Sequence, residues 1–322
     1  MKGMENKMRE TKARRNKRNV KNIICVILII ILIAMLVLTL YIDKRDVSKE
    51  VFSPIQAWAE ITPTINVDDA IYLEETESEE VKKLISQIMS KNGLNSNNFG
   101  FFFYNINTRE YYFYNEDKYF TAASTVKVPV AMLYYDKINA GEITEDDTLL
   151  YKSNAYEAGA GDVTSKYRPG SYIPYSVLLE ELIVDSDNTA NNILISNIGW
   201  KQYRYDIAEY SDRELLSTFY SSNVTCPGFA YDVIKYLYNH SSKYTELLEN
   251  MKKSSYGKYL KEYLDYDVAH KYGSYGGYVH DYGIIYGKQT YLMGVYTKNK
   301  NNAPTLIASI GKQVVDLVEE CQ

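Results

Sequence analysis

Residues 120–133 read FTAASTVKVPVAML, a serine opening an apolar run, and the rest of the chain takes its meaning from that stretch. Val126, Val128, Val130, Ala131, Met132 and Leu133 give the run a helix to form, so Ser124 is expected at or near a helix amino terminus. Lys127 follows three residues later and falls on the same helical face, within reach of the Ser124 hydroxyl. Unpaired backbone N–H groups and the positive end of the helix dipole favour negative charge there. A serine three residues before a lysine is common by chance, so the string needs company. Ser186-Asp187-Asn188 lies between two helical stretches, Tyr175 to Val184 and Thr189 to Ile198, and alone it reads as a helix cap. Lys271-Tyr272-Gly273 precedes a strand-like stretch, and alone its lysine reads as solvated. In this order, with 62 and 85 residues between first members, the three strings read as a serine acyl-transfer site. A serine hydroxyl is a weak nucleophile that needs a base, a proton route to the leaving group and donors for the oxyanion.

Outward from that site, the hydrophobic periodicity sets the architecture. Val81, Leu84, Ile85 and Ile88 predict a first helix from Glu79 to Lys91, stopped by Asn92-Gly93. Phe99 to Ile106 and Glu110 to Tyr114 flank the turn Asn107-Thr108-Arg109 as a hairpin would. A mainly helical middle runs from about Ser124 to His240. Tyr282 to Ile285, Tyr291 to Tyr296 and Ala303 are again strand-like, and Leu306 to Glu320 reads as a closing helix. Strands early, helices in the middle and strands late imply a mixed α/β fold, with a sheet completed by both ends of the chain and a helical subdomain inserted.

The amino-terminal region has a different character. Nine basic residues (Lys2, Lys7, Arg9, Lys12, Arg14, Arg15, Lys17, Arg18 and Lys21) precede an uncharged run from Ile23 to Ile42. Twenty residues of helix cover about 30 Å, the thickness of a bilayer core. A cleaved signal would have a shorter apolar region and a small-residue cleavage site. The expected plan is therefore a cytoplasmic tail (1–22), a transmembrane signal anchor (23–42), an acidic stalk (43–78) and an extracytoplasmic catalytic domain (79–322) at the cell membrane. The basic cluster sets topology and meets lipid headgroups, and it implies no nucleic-acid partner.

From about Phe99 to the carboxy terminus the chain resembles the class A β-lactamase-like serine hydrolases, relatives of penicillin-binding proteins and D,D-peptidases. FTAASTVKVPVAML, INAGEIT, ELIVDSDNTANNILI and VAHKYGSYGGYVHDYGIIYG carry the resemblance, in the family's order. It implies a three-layer α-β-α fold and a β-lactam or peptidoglycan stem-peptide substrate. Ser124 would form the acyl-enzyme, with Lys127 as proton acceptor or electrostatic support. Ser186 would relay a proton to the departing nitrogen, and Asn188 would orient the substrate amide and Lys127. Lys271 would hold Ser186 and the substrate carboxylate. The backbone N–H groups of Ser124 and Ser274 would form the oxyanion hole, and Gly273 would let substrate lie against its strand.

Two departures stand out. Tyr272 occupies the place of the family's Thr or Ser, whose small hydroxyl contacts the substrate carboxylate; Ser274 is the available substitute. Class A β-lactamases also carry, between the second and third strings, a glutamate followed four residues later by asparagine, which activates the deacylating water. Beyond Asp187, the carboxylates up to Pro227 are Asp206, Glu209, Asp212 and Glu214, followed at that spacing by Tyr210, Arg213, Leu216 and Thr218. Acylation with slow deacylation is expected, with Glu209 and Glu214 as candidate replacement bases.

The remaining chemistry-bearing residues read as structural. His280-Asp281 suggests a charge triad, but adjacent strand residues face opposite ways, and His270 beside Lys271 should face away from the site. No metal-ligand spacing or cofactor motif is present. Cys226 and Cys321 are too few for a disulfide framework and are expected free. The net charge is −5, and the 33 tyrosines show no period; they fit strand and core positions.

Overall fold

The structure is a computed structural model that describes residues 74–254 and 259–320. The basic tail, the apolar run 23–42 and the stalk up to residue 73 lie outside the described residues. In chain order the amino-terminal elements are β1 (Thr76–Glu77), α1 (Glu79–Asn92), β2 (Phe99–Asn105), β3 (Glu110–Tyr114) and β4 (Phe120–Thr121). The middle comprises α2 (Lys127–Asn139), β5 (Thr148–Leu150), α3 (Val163–Lys166), β6 (Tyr172–Pro174), α4 (Tyr175–Ile183), α5 (Asn188–Ile198), α6 (Gln202–Ala208), α7 (Ser217–Ser221), β7 (Val224–Thr225), α8 (Pro227–Asn239) and α9 (Thr245–Lys252). The chain closes with β8 (Asp267–Tyr275), β9 (Tyr278–Tyr286), β10 (Thr290–Lys298) and α10 (Ala303–Glu320).

The main sheet has the order β1-β3-β2-β10-β9-β8, so strands from both ends of the sequence are interleaved. β10 pairs antiparallel with β2, joining Gly294 to Phe102 and Val295 to Phe101 across nearly two hundred residues of chain. All neighbours are antiparallel except β1 and β3, which run parallel. Thr76–Glu77, assigned by composition to the stalk, thus belongs to the folded sheet.

β2 reads FGFFFYN and is buried along its whole length, as a strand covered on both faces must be. Its alternation divides the core. Phe99, Phe101 and Phe103 join α1 and α10 through Ile85, Ile307 and Val314 on one face. Phe102 and Tyr104 join Phe120 of β4 and Tyr231 of α8, with the rest of the helical middle, on the other. Each buried ring contributes about 1.5–3 kcal/mol relative to exposure. The result is helix, sheet and helix in three layers.

Sequence periodicity located most elements within a few residues. Ala303, expected to be strand-like, instead begins α10, and Lys271-Tyr272-Gly273 lies inside β8 rather than before a strand. Cys226 is free and buried, and burial pushes its thiol up to about 11. Cys321 lies outside the described residues. Many of the tyrosines are core: Tyr134, Tyr151, Tyr244, Tyr282, Tyr291 and Tyr296 are fully buried.

Candidate active site

Ser124 sits not in α2 itself but in a 3₁₀ turn, Ala123–Val126, that runs directly into it at Lys127. The Lys127 amide closes that turn on the Ser124 carbonyl, so the two residues stand at the three-residue spacing at which side chains of a 3₁₀ turn align. Ala123 enters the turn at φ 50°, a conformation that non-glycine residues hold only under constraint. The constraint comes from β4, which pairs with β7, and from Ala122, whose amide donates to the Asn223 carbonyl at 2.9 Å.

Lys127 is almost wholly buried, and three groups hold its amine. Nζ donates to the Ser186 carbonyl, to Ser186 Oγ at 3.3 Å and to Asn188 Oδ1 at 2.8 Å. Burial pushes the amine down to about 7, with the charges of Asp187 and Glu157 pulling the other way. At neutral pH it therefore divides between a proton acceptor and a donor, as a group that must take and return the Ser124 proton requires.

The second string stands on a strained corner. Ser186 has φ 57°, and Asp187 caps α5, its Oδ1 accepting from the Ala190 amide at 2.6 Å. Asp187 Oδ2 accepts from the Val163 amide at 2.9 Å, tying the corner to the loop before α3. That loop packs closely: a Cβ on Gly161, which has φ 97°, would lie 2.0 Å from Asp187 Oδ2. Only glycine fits the approach and the dihedral together.

The third string lies on β8, the edge of the sheet, with its outer side against the turn that carries Ser124. A Cβ on Gly273 would stand 2.8 Å from the Ser124 amide nitrogen, so the strand reaches the nucleophile's backbone there. Lys271 is fully buried, and burial together with the positive charge of Lys127 lowers its amine well below the ordinary lysine range. The two amines are thus electrostatic neighbours, and among the described residues the Lys271 hydrogen bond goes to the Tyr272 carbonyl at 3.3 Å. Ser274 is exposed at the mouth of this strand. Tyr272 is 8 % exposed and stacks on Tyr259 with ring centroids 4.9 Å apart. Lys271 Nζ lies 4.3 Å from the Tyr272 ring centroid, a cation–π contact.

The histidines take no part. His270 and Asp281 pair at 2.8 Å inside the sheet on the α10 side, where Asp281 also accepts from the Leu260 amide. His280 Nε2 meets the Thr121 carbonyl at 2.9 Å and Nδ1 accepts from the Thr297 amide at 3.1 Å, which braces the strand leading to Ser124. The two expected replacement bases are also placed elsewhere. Glu209 and Glu214 are exposed. Beside Glu209, Tyr210 donates to Asp136 at 2.6 Å, nine residues along α2 from Lys127 and so about 13 Å away. Beside Glu214, Arg213 is tied to Glu116, Asp117 and Asp232.

Sequence reading passed over Glu157, whose charge reaches Lys127, and Asn192, whose side-chain amide donates to Glu157 Oε2 at 2.8 Å. The run Gly159-Ala160-Gly161 was the available signal, since close backbone approach needs such residues.

The sequence profile of the β-lactamase enzyme family matches residues 79–318. A search of curated protein sequences finds no significant match. Solved structures with the same fold include a point mutant of PBP-A in an acyl-enzyme complex with penicillin G. It is 22% identical over 76% of this chain and 98% of its own, with a TM-score of 0.69. A β-lactamase from Sphaerobacter thermophilus is 22% identical over 75% of this chain and 97% of its own, with a TM-score of 0.64. The TLA-3 extended-spectrum β-lactamase is 22% identical over 74% and 98%, with a TM-score of 0.64. Likeness at this identity establishes the fold.

Proposed function

The chain belongs to the β-lactamase enzyme family, and on that premise we propose that it is a serine hydrolase forming an acyl-enzyme on Ser124 with β-lactams or with cell-wall peptides ending in D-Ala-D-Ala. The observation that carries this reading is the buried Lys127 amine, pushed down to about 7, three residues after Ser124 and held by Ser186 and Asn188. Ser124 Oγ attacks the carbonyl carbon while its proton passes to Lys127. The developing oxyanion lies at the backbone N–H groups of Ser124 and Ser274. When the C–N bond breaks, the nitrogen takes the proton by way of Ser186, and the nearby Lys271 amine is the hydrogen-bond donor for the substrate carboxylate.

Deacylation is slow in this reading, because the segment between the second and third strings lacks the glutamate-asparagine pair. General-base assistance is worth about 10² to 10⁴ in rate, enough to separate a resistance enzyme from a protein that traps penicillin. The basic tail and the apolar run Ile23–Ile42 support anchoring in the cell membrane with the catalytic domain outside.

One observation favours a second reading, a non-hydrolytic penicillin-binding or sensor domain on the same fold. The Tyr272 ring is packed on Tyr259 and does not offer the small hydroxyl that the family uses for the substrate carboxylate.

Intact-protein mass spectrometry of the full chain in detergent, with a penicillin and with Ser124→Ala alongside, tests the proposal. A covalent adduct, or drug hydrolysis, that Ser124→Ala abolishes is the expected result. Neither adduct nor hydrolysis would leave β-lactam recognition without support.

A further inference from the structure

We propose that Glu157, clamped by Asn192, activates the water that releases the acyl group from Ser124. This rests on the acylation reading above and concerns the step that reading leaves without a base.

The backbone of Glu157 is fixed to the second string. Its amide donates to Thr189 Oγ1 at 3.0 Å, and the same hydroxyl lies 3.2 Å from the Glu157 carbonyl. Thr189 directly follows Asn188 and is fully buried. Three residues further along the loop, the Ala160 carbonyl accepts from the Asn188 amide at 3.3 Å. The loop therefore bears on the catalytic corner at both ends.

The side chain is fixed as well. Glu157 Oε2 accepts from Asn192 Nδ2 at 2.8 Å, and Asn192 also reaches the Ala155 carbonyl at 3.3 Å. Asn192 stands four residues after Asn188 on the same face of α5, so the two side chains are neighbours one turn apart. Asn188 in turn holds Lys127 Nζ at 2.8 Å. Glu157 pairs with Asn192 and Lys127 with Asn188, so the two pairs stand one helical turn apart on α5. Glu157 is exposed, so water reaches its carboxylate.

A carboxylate held by an asparagine amide beside the catalytic lysine is the pairing that the later segment lacks. Here the glutamate comes from the loop before the second string, and the asparagine from the helix after it. In the step, the Glu157 carboxylate takes a proton from water as the water oxygen bonds to the acyl carbon. The C–Oγ bond to Ser124 then breaks, and the proton returns to Oγ through Lys127. The products are free Ser124 and a carboxylic acid.

The test follows the adduct on the full chain in detergent, pre-loaded with a penicillin and then freed of drug, for the unaltered protein, Glu157→Gln and Glu157→Asp. Hydroxylamine, a nucleophile that needs no base, is added in a parallel set. Glu157→Gln should lengthen the life of the adduct by tenfold or more, Glu157→Asp should lengthen it less, and hydroxylamine should clear all three adducts at similar rates. If the unaltered protein turns over too fast to hold an adduct, Glu157→Gln should accumulate one. An unchanged lifetime in Glu157→Gln overturns the proposal, as does hydroxylamine clearance that falls with it, since that marks a distorted site. No adduct and no hydrolysis in the unaltered protein removes the acylation reading itself, and this inference with it.

Discussion

Gly273 of β8 lies so close to Ser124 that a single methyl group on it would stand 2.8 Å from the Ser124 amide nitrogen and 3.0 Å from the Ala122 carbonyl. The neighbours are backbone atoms on both sides, so no flexible side chain can give way. Gly273→Ala should therefore push the strand off the turn and misplace the Ser124 N–H. Losing one oxyanion donor costs about 10² to 10³ in rate. Stopped-flow acylation with a chromogenic cephalosporin should fall by that order, while circular dichroism reports a retained fold. Acylation within threefold of the unaltered protein would show that the contact does not position the nucleophile.

Because burial holds the Lys127 amine at about 7, the fraction able to accept the Ser124 proton rises as pH passes that value. The acylation rate constant should climb about tenfold per pH unit below 7 and level off above it. Stability carries the same sign. An unfolded lysine keeps its proton to about 10.5, so between about 7 and 10.5 the unfolded chain binds more protons and stability increases with pH; below 7 the penalty is constant. Urea midpoints of the unaltered protein minus those of Lys127→Met, taken from pH 6 to 9.5, should rise across that window. A flat difference would mean the amine is not held down.

Asp187 accepts two backbone amides from separate elements, Ala190 at 2.6 Å and Val163 at 2.9 Å. Asp187→Ala should cost about 3 kcal/mol, the sum of a lost cap and a lost charge-assisted bond. It should also raise hydrogen exchange at the amides of residues 159–163, because the loop loses its clasp on the corner. Exchange confined to α5 would show that the clasp does not hold the loop.

His280 should stay neutral across the working pH range, since burial pushes it down to about 4. Its Nε2 should carry the proton, with Nδ1 accepting from the Thr297 amide. Long-range nitrogen-15 correlation spectra from pH 5 to 9 should show that one tautomer throughout. A titration near 6.5 would contradict the packing. As the unfolded imidazole protonates first, stability should decline as pH falls from 6.5 toward 4.

The order of the three strings, the helix from Glu79, the hairpin of Phe99–Tyr114 and the closing helix were all legible along the chain, because periodicity and turn chemistry act between near neighbours. Ser124 and Lys127 were legible for the same reason, being three residues apart. What the sequence by itself determined was the set of chemical parts and the elements that carry them. The tertiary structure decided which parts meet. Lys127 and Asn188 are 61 residues apart, and Glu157 and Asn192 are 35 apart. It left Glu209 and Glu214 exposed in the expected segment, and set Glu157 against Asn192 from a loop marked in the sequence only by the run Gly159-Ala160-Gly161. It also packed Tyr272 away on Tyr259, since a side chain's surroundings come from elements that no local pattern records.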